Sequence, residues 1–204
     1  MAWRGSGFES RPVHLKMMNV IFVTTNKHKF EEVRNILKEY PIELEHLNVE
    51  YYEDHDLTAE EISSNAAKKL ADELNKNVIV EDTGLFFEAF NNFPGIYPKF
   101  VMNSIGYKGI IKLLRGENRT AYFRTIAAFC EPGKEPITFD GIMKGKITMK
   151  VYDKDKDAMP YDRIFIPENR KKTISSMTLE EKNSFSQRAQ AFKKFGEYIK
   201  NRNE

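Results

Sequence analysis

Residues 20–40 read VIFVTTNKHKFEEVRNILKEY, and the order of chemistry in that stretch decides the fold class. Val20-Ile21-Phe22-Val23 is a short unbroken apolar run, the pattern of a strand buried on both faces. Thr24-Thr25-Asn26 ends it with side chains that cap helices, and Phe30, Val33, Ile36, Leu37 and Tyr40 then recur at helical spacing until Pro41 stops them. Strand, tight loop, helix is the opening of an α/β unit.

Working outward, Ile42–Leu47 alternates as a second strand, and Tyr51–Asp56 is an acidic, aromatic loop. Thr58, with Glu61 three residues on, forms a capping box for a helix reaching about Leu74. Val78-Ile79-Val80 repeats the buried-strand signal and runs into Glu81-Asp82-Thr83-Gly84, where the strand is expected to end in a turn. Asn91–Pro98 reads as a loop and Ser104–Leu114 as a short helix. Ala121–Lys150 is strand-like, punctuated by Gly133, Pro136, Gly141 and Gly145, and is expected to form a β-rich second lobe. Asp153–Asp157 is a solvated charge run, and Ile164-Phe165-Ile166 is a last short strand before Pro167. Thr178 and Glu181 repeat the capping box, and Phe185, Ala189, Phe192, Phe195 and Ile199 stripe a final helix. Alternating strands and helices with a hairpin-like middle predict an α/β protein whose central sheet is mixed.

Composition narrows the function classes. Fifteen Phe and nine Tyr in 204 residues supply enough apolar surface for a packed core, which excludes a disordered chain. That length corresponds to one compact domain, or two lobes sharing a core. Residues 1–17 lack periodicity and are expected to be a leader or expression scar, leaving 18–204 as the domain. No apolar run reaches the roughly 18 residues of a membrane span. A net charge of +2 gives no polybasic footprint, so neither nucleic acid nor a membrane is expected as a partner. The single Cys130 excludes a disulfide framework and fits a reducing, cytoplasmic setting.

Four constellations carry candidate chemistry. Thr24, Thr25, Asn26 and Lys29 stand where a buried strand meets a helix N-terminus, a place suited to anions; a cation in the first turn makes sense if a phosphate lies there, and otherwise the loop is an ordinary cap. Glu81 and Asp82 at a strand end suit a hard divalent ion and a water to be oriented or deprotonated; the alternative is an Asx-turn over Thr83-Gly84. Met159, Pro160, Tyr161 and Asp162 set a ring beside a carboxylate, fit to stack on a base and accept from its ring N–H, or else a core tyrosine beside an Asp162–Arg163 surface pair. Lys182, Ser186, Gln187 and Arg188 line the side of the last helix away from its Phe stripe, by default a solvated face. The four histidines have no ligand spacing and receive no role.

Taken in order, Thr24-x-Asn26-x-x-Lys29, Asn65-Ala66-x-x-Lys69, Glu81-Asp82-Thr83-Gly84-Leu85, Pro94-Gly95-Ile96-Tyr97, Tyr161-Asp162 and Glu181-Lys182-x-x-x-Ser186-x-Arg188 resemble the inosine triphosphate pyrophosphatases from Asn19 to about Lys200. These enzymes convert non-standard purine nucleoside triphosphates such as ITP, dITP and XTP to monophosphate and pyrophosphate. The resemblance implies an elongated two-lobed fold with the substrate cleft between the lobes, a homodimer and Mg²⁺. Carried over by position, it implies that Thr24, Thr25, Asn26, Lys29 and Lys69 hold phosphates and that Asp82, with Glu81 beside it, handles metal and water. Glu53, with Asp54 as the alternative, is implied as a further metal ligand, and Thr83 as a substrate contact. Met159, Pro160, Tyr161, Asp162, Lys182, Gln187 and Arg188 are implied as the base-recognition wall, with Arg188 donating to the 6-oxo group. The chain departs from the family pattern in three places: Met159-Pro160-Tyr161-Asp162-Arg163 stands for Phe-Gly-aromatic-Asp-Pro, Gln187 stands for His, and Pro98-Lys99-Phe100 matches only in part the segment after the family's Pro-Gly-x-Tyr.

Overall fold

A computed structural model describes residues 16–51 and 57–202. Their elements are β1 (Met18–Val23), α1 (Lys27–Leu37), β2 (Ile42–Leu47), α2 (Ala59–Leu74), β3 (Val78–Phe87), β4 (Phe93–Gly95), α3 (Pro98–Leu113), β5 (Thr120–Cys130), β6 (Ile137–Ile147), β7 (Phe165–Pro167), α4 (Leu179–Asn183) and α5 (Gln187–Arg202). The strands form one mixed sheet in the order β2-β1-β3-β5-β6-β7, with β4 added to β3. β2, β1 and β3 are parallel and every other pairing is antiparallel.

Val20, Phe22 and Val23 are almost wholly buried because helices cover both faces of β1. On one face α1 and α5 pack Val33, Ile36, Phe192 and Phe195 onto Phe22, Ile79 and Phe129. On the other, α2 packs Ala66, Ala67 and Ala71 onto Ile21, Val23, Val78 and Val80. The small α2 residues let that helix lie close to the β-branched strand surface. A third cluster, with Leu85, Phe87, Phe123 and Phe165, lies under α3 and the distal half of the sheet. The connection through α1 therefore leaves β1 on one face, and the connection through α2 crosses on the other. This makes the C-terminal ends of β1 and β3 a topological switch point, where open α/β sheets form a ligand crevice.

Several expectations change. Glu81-Asp82-Thr83-Gly84 does not end a strand: β3 continues to Phe87, paired residue by residue with β5. Gly84 is required for close approach, since a Cβ there would lie 2.7 Å from the Phe86 ring and 2.8 Å from the Gly95 carbonyl. The expected loop before Pro98 contains β4, and α3 begins at Pro98 rather than Ser104, breaking at Gly106 where φ is 57°. The β-rich stretch after Ala121 is continuous with the sheet of β1 and β3.

Candidate active site

The Thr24–Lys29 loop leaves β1 at the switch point. Thr24 is buried, its N–H donates to Leu47 O (3.1 Å), and its own carbonyl is held by His46 Nε2 at 2.8 Å. His46, given no role from sequence, stacks on Phe30 with ring centroids 4.3 Å apart. Asn26 is the N-cap of α1: its Oδ1 accepts from the N–H groups of His28 (3.0 Å) and Lys29 (3.3 Å). Two of the free donors of the helix are thus satisfied internally, and the exposed Thr25 beside them offers a side chain to an anion.

Lys29 reaches from the first turn of α1 to the Glu81 carboxylate. From Glu81 a chain of alternating charge runs through the interior. Arg188 Nε lies 2.9 Å from Glu81 Oε2, and Arg188 Nη1 lies 2.6 Å from Glu32 Oε2. Lys182 Nζ then joins Glu32 Oε1 (2.6 Å) to Asp162 Oδ2 (2.7 Å). Three cations balance three carboxylates, the condition under which buried charge is tolerated. Burial alone would raise the pKa of Glu81, but Arg188 and then Lys29 override it and hold the carboxyl down to about 2. At Asp162 burial dominates, and its carboxyl is pushed up despite Lys182.

The four polar residues expected on a solvated face are instead buried: Lys182, Ser186, Gln187 and Arg188 are all 6% exposed or less. Arg188, at 1%, spends its donors on Glu81, Glu32 and, at 3.4 Å, Thr83 Oγ1, so the expected donation to a base is replaced by a structural hub. Thr83 is likewise committed, with its hydroxyl 2.6 Å from Thr125 Oγ1 and 3.1 Å from Glu81 Oε2. Glu32 was missed from sequence. Its signal was an acid on the buried stripe of α1, beside Val33 and Ile36.

Adjacent in sequence, Glu81 and Asp82 part company in space. The β3–β5 ladder runs without a bulge, so alternation sends Ile79, Glu81 and Thr83 toward α1 and α5, and Val78, Val80 and Asp82 toward α2. Asp82 is half-buried, and its Oδ1 accepts from Thr83 N at 2.9 Å while the backbone stays extended, so the Asx-turn alternative fails. On the same face Arg124, opposite Gly84, reaches Glu60 at the start of α2 (2.5 Å). Lys69, also on α2, is exposed and lies 3.9 Å from Glu73. Glu53 lies outside the described residues. Among those described, no three His, Cys, Asp or Glu side chains gather as a metal cluster.

Of the remaining expected residues, Met159 and Asp162 border a cavity of about 250 Å³, together with His28, Glu32, Asp157 and Lys182, whereas Pro160, Tyr161 and Gln187 do not line it. Met159 Sδ lies 4.0 Å from Asn26 Nδ2, which brings the cavity to the edge of the β1 loop. Tyr161 is a core residue rather than a stacking platform: its hydroxyl donates to Pro98 O (2.9 Å) and its ring meets Phe123 edge-on. Asp162 pairs inward with Lys182, so the expected surface pair with Arg163 does not form. Pro160 is exposed and its carbonyl accepts from Tyr107 Oη at 2.9 Å. Gln187 is 4% exposed, and among the described residues its Oε1 has no hydrogen-bond donor.

The family model described as the Ham1 family matches residues 20–198. The chain belongs to the Ham1 family. Among curated relatives, a dITP/XTP pyrophosphatase of Methanopyrus kandleri is 42% identical over 185 residues, covering 90% of this chain and 97% of the relative. One of Saccharolobus solfataricus is 46% identical over 178 residues, covering 87% and 91%. Among solved structures, a HAM1 protein from Coxiella burnetii superposes with a TM-score of 0.75 at 22% identity, over 90% of this chain and 98% of that one. The Staphylococcus aureus Ham1 protein gives 0.70 at 23%, over 90% and 99%. These two structures bear on the fold, which is the Ham1 mixed α/β architecture.

Proposed function

We propose that this Ham1 protein hydrolyses non-standard purine nucleoside triphosphates, ITP, dITP and XTP, to the monophosphate and pyrophosphate. Relatives at 42 and 46% identity along nearly their whole length are named dITP/XTP pyrophosphatases. The observation that carries the reading to particular residues is the position of the Thr24–Lys29 loop, which touches Glu81 through Lys29 and Met159 through Asn26. A nucleotide lying over that loop has its base in the cavity beside Met159 and its phosphates at the switch-point crevice, toward Asp82 and Lys69.

Lys182 has three N–H donors; two go to Glu32 and Asp162, and the third serves the 6-oxo group of hypoxanthine or xanthine. Asp162 accepts from the ring N–H. Adenine presents the reverse pattern, an amino donor and a bare ring nitrogen, and each such mismatch costs about 1 to 3 kcal/mol. Arg188 and Glu32 fix Lys182 and Asp162 in place.

Thr24, Thr25 and Asn26 contact the triphosphate, and Lys29 and Lys69 offset its charge. Glu81, saturated by Lys29 and Arg188, acts by holding Lys29 rather than by taking a proton. Asp82 then orients the water that attacks the α-phosphorus and accepts its proton. Its hard oxygen donor fits Mg²⁺, which needs only one or two protein carboxylates beside substrate phosphates and water. Asp82 and Glu53 are the proposed ligands, and the ion supplies neutralisation of the polyphosphate and of the departing pyrophosphate. A cytoplasmic location and a homodimer belong to the same proposal. The exposed Phe93, Tyr97 and Phe100 offer apolar surface to a second copy.

The deciding experiment is a panel of nucleoside triphosphates with Mg²⁺, scored for pyrophosphate against orthophosphate and repeated in EDTA. Pyrophosphate from ITP and XTP, at least about tenfold faster than from ATP and lost on chelation, is expected. Preference for UTP or dTTP, or orthophosphate as product, refutes the reading.

A further inference from the structure

Residues 152–159 form a strap that passes over the base cavity and supplies Asp157 and Met159 to its border. The strap is wound around one side chain. Arg163 Nη1 donates to Ala158 O (2.9 Å), Nη2 to Lys156 O (2.5 Å) and Nε to Asp153 O (3.3 Å), while the Arg163 carbonyl accepts from Tyr152 N (3.0 Å). Nη1 also reaches Tyr107 Oη at 3.4 Å, and that hydroxyl donates to Pro160 O, tying the arrangement to α3. At the far side Asp153, at φ 47°, accepts from the hydroxyls of Ser175 (2.8 Å) and Ser176 (2.5 Å). The charge run is therefore anchored at its base, whereas its tip meets α1 through His28–Asp157 (3.1 Å) and Asn26–Met159.

We propose that Arg163 is a positioning residue for base recognition, holding the strap so that Met159 and Asp157 close the cavity against α1. This rests on the assignment of that cavity to the base. A guanidinium is suited to the task because its planar fork addresses several carbonyls at once, which the single ammonium of lysine does not. A proline at this position, the family's usual residue, supplies stiffness but none of these donors. Arg163 itself contacts neither the Thr24–Lys29 loop nor Asp82, and the strap it holds meets that loop only through Met159 and Asp157 at the cavity border, so its influence falls first on the base.

The test compares the full-length protein with Arg163→Met, Arg163→Lys and Met159→Ala, measuring KM and kcat for ITP and inhibition by inorganic tripolyphosphate. Arg163→Met is expected to raise KM about tenfold with a smaller change in kcat, and Arg163→Lys to give an intermediate value. Tripolyphosphate inhibition is expected to stay unchanged. An unchanged KM, or a KM that rises in step with the tripolyphosphate inhibition constant, overturns the proposal. If Arg163→Met fails to fold, Arg163→Lys decides by the same two readouts. A Met159→Ala variant with wild-type KM overturns the base assignment itself. A KM shift in Met159→Ala but in neither Arg163 variant overturns only the role of Arg163.

Discussion

Replacing Glu81 with glutamine keeps the side-chain shape and removes the charge that holds Lys29 and Arg188. In the folded protein this carboxyl sits at about 2, against an ordinary 4.5, because two cations outweigh the cost of its burial. Each pKa unit corresponds to about 1.4 kcal/mol, so ionised Glu81 contributes about 3 kcal/mol to folding at neutral pH. Because the folded pKa is the lower one, the contribution is complete above about pH 5 and disappears as pH falls from 4.5 through about 2. Urea unfolding of wild type and Glu81→Gln at pH 7 and pH 3 measures it. The stability gap is expected to be about 3 kcal/mol at pH 7, or about 6 to 12 °C in Tm, and less than half as large at pH 3. A gap under about 1 kcal/mol at pH 7, or one equal at both pH values, refutes the reasoning that Glu81 is an ionised structural partner.

Two further outcomes follow from the same geometry. Asp82→Asn is expected to lower kcat for pyrophosphate release at least about 100-fold with little change in KM, so that neighbouring carboxylates separate into a chemical and a structural one; wild-type turnover would exclude Asp82 as the base. Gly141→Ala places a Cβ 2.0 Å from Gln187 O and 2.8 Å from Gln190 Cβ, which forces the first turn of α5 off β6. Thermal unfolding should show a loss of about 1 to 3 kcal/mol, accompanied by weaker ITP binding as Arg188 moves.

Local chemistry made much of the fold legible. The apolar run of β1, the Asn26 cap and the boxes at Thr58 and Thr178 each act within a few residues, and the structure forms all of them. β2 begins and ends where alternation places it, at Ile42 and Leu47. Gly84 misled because glycine marks both turns and close approaches, and only the neighbouring β4 strand tells which. The Lys182–Arg188 group misled because a polar face is read as solvated unless its partners are known. Those partners are Glu32 and Glu81, which lie 150 and 107 residues away.

The sequence by itself determined the strand-loop-helix opening, the mixed sheet and the residue types that gather at the switch point, because backbone propensity and side-chain periodicity are local. Only the tertiary structure decided which charges leave water and which face each carboxylate takes. A buried ion is stable only where folding delivers its counter-ion and hydrogen-bond partners together. The split between Glu81 and Asp82 likewise depends on which helix covers each side of one uninterrupted strand.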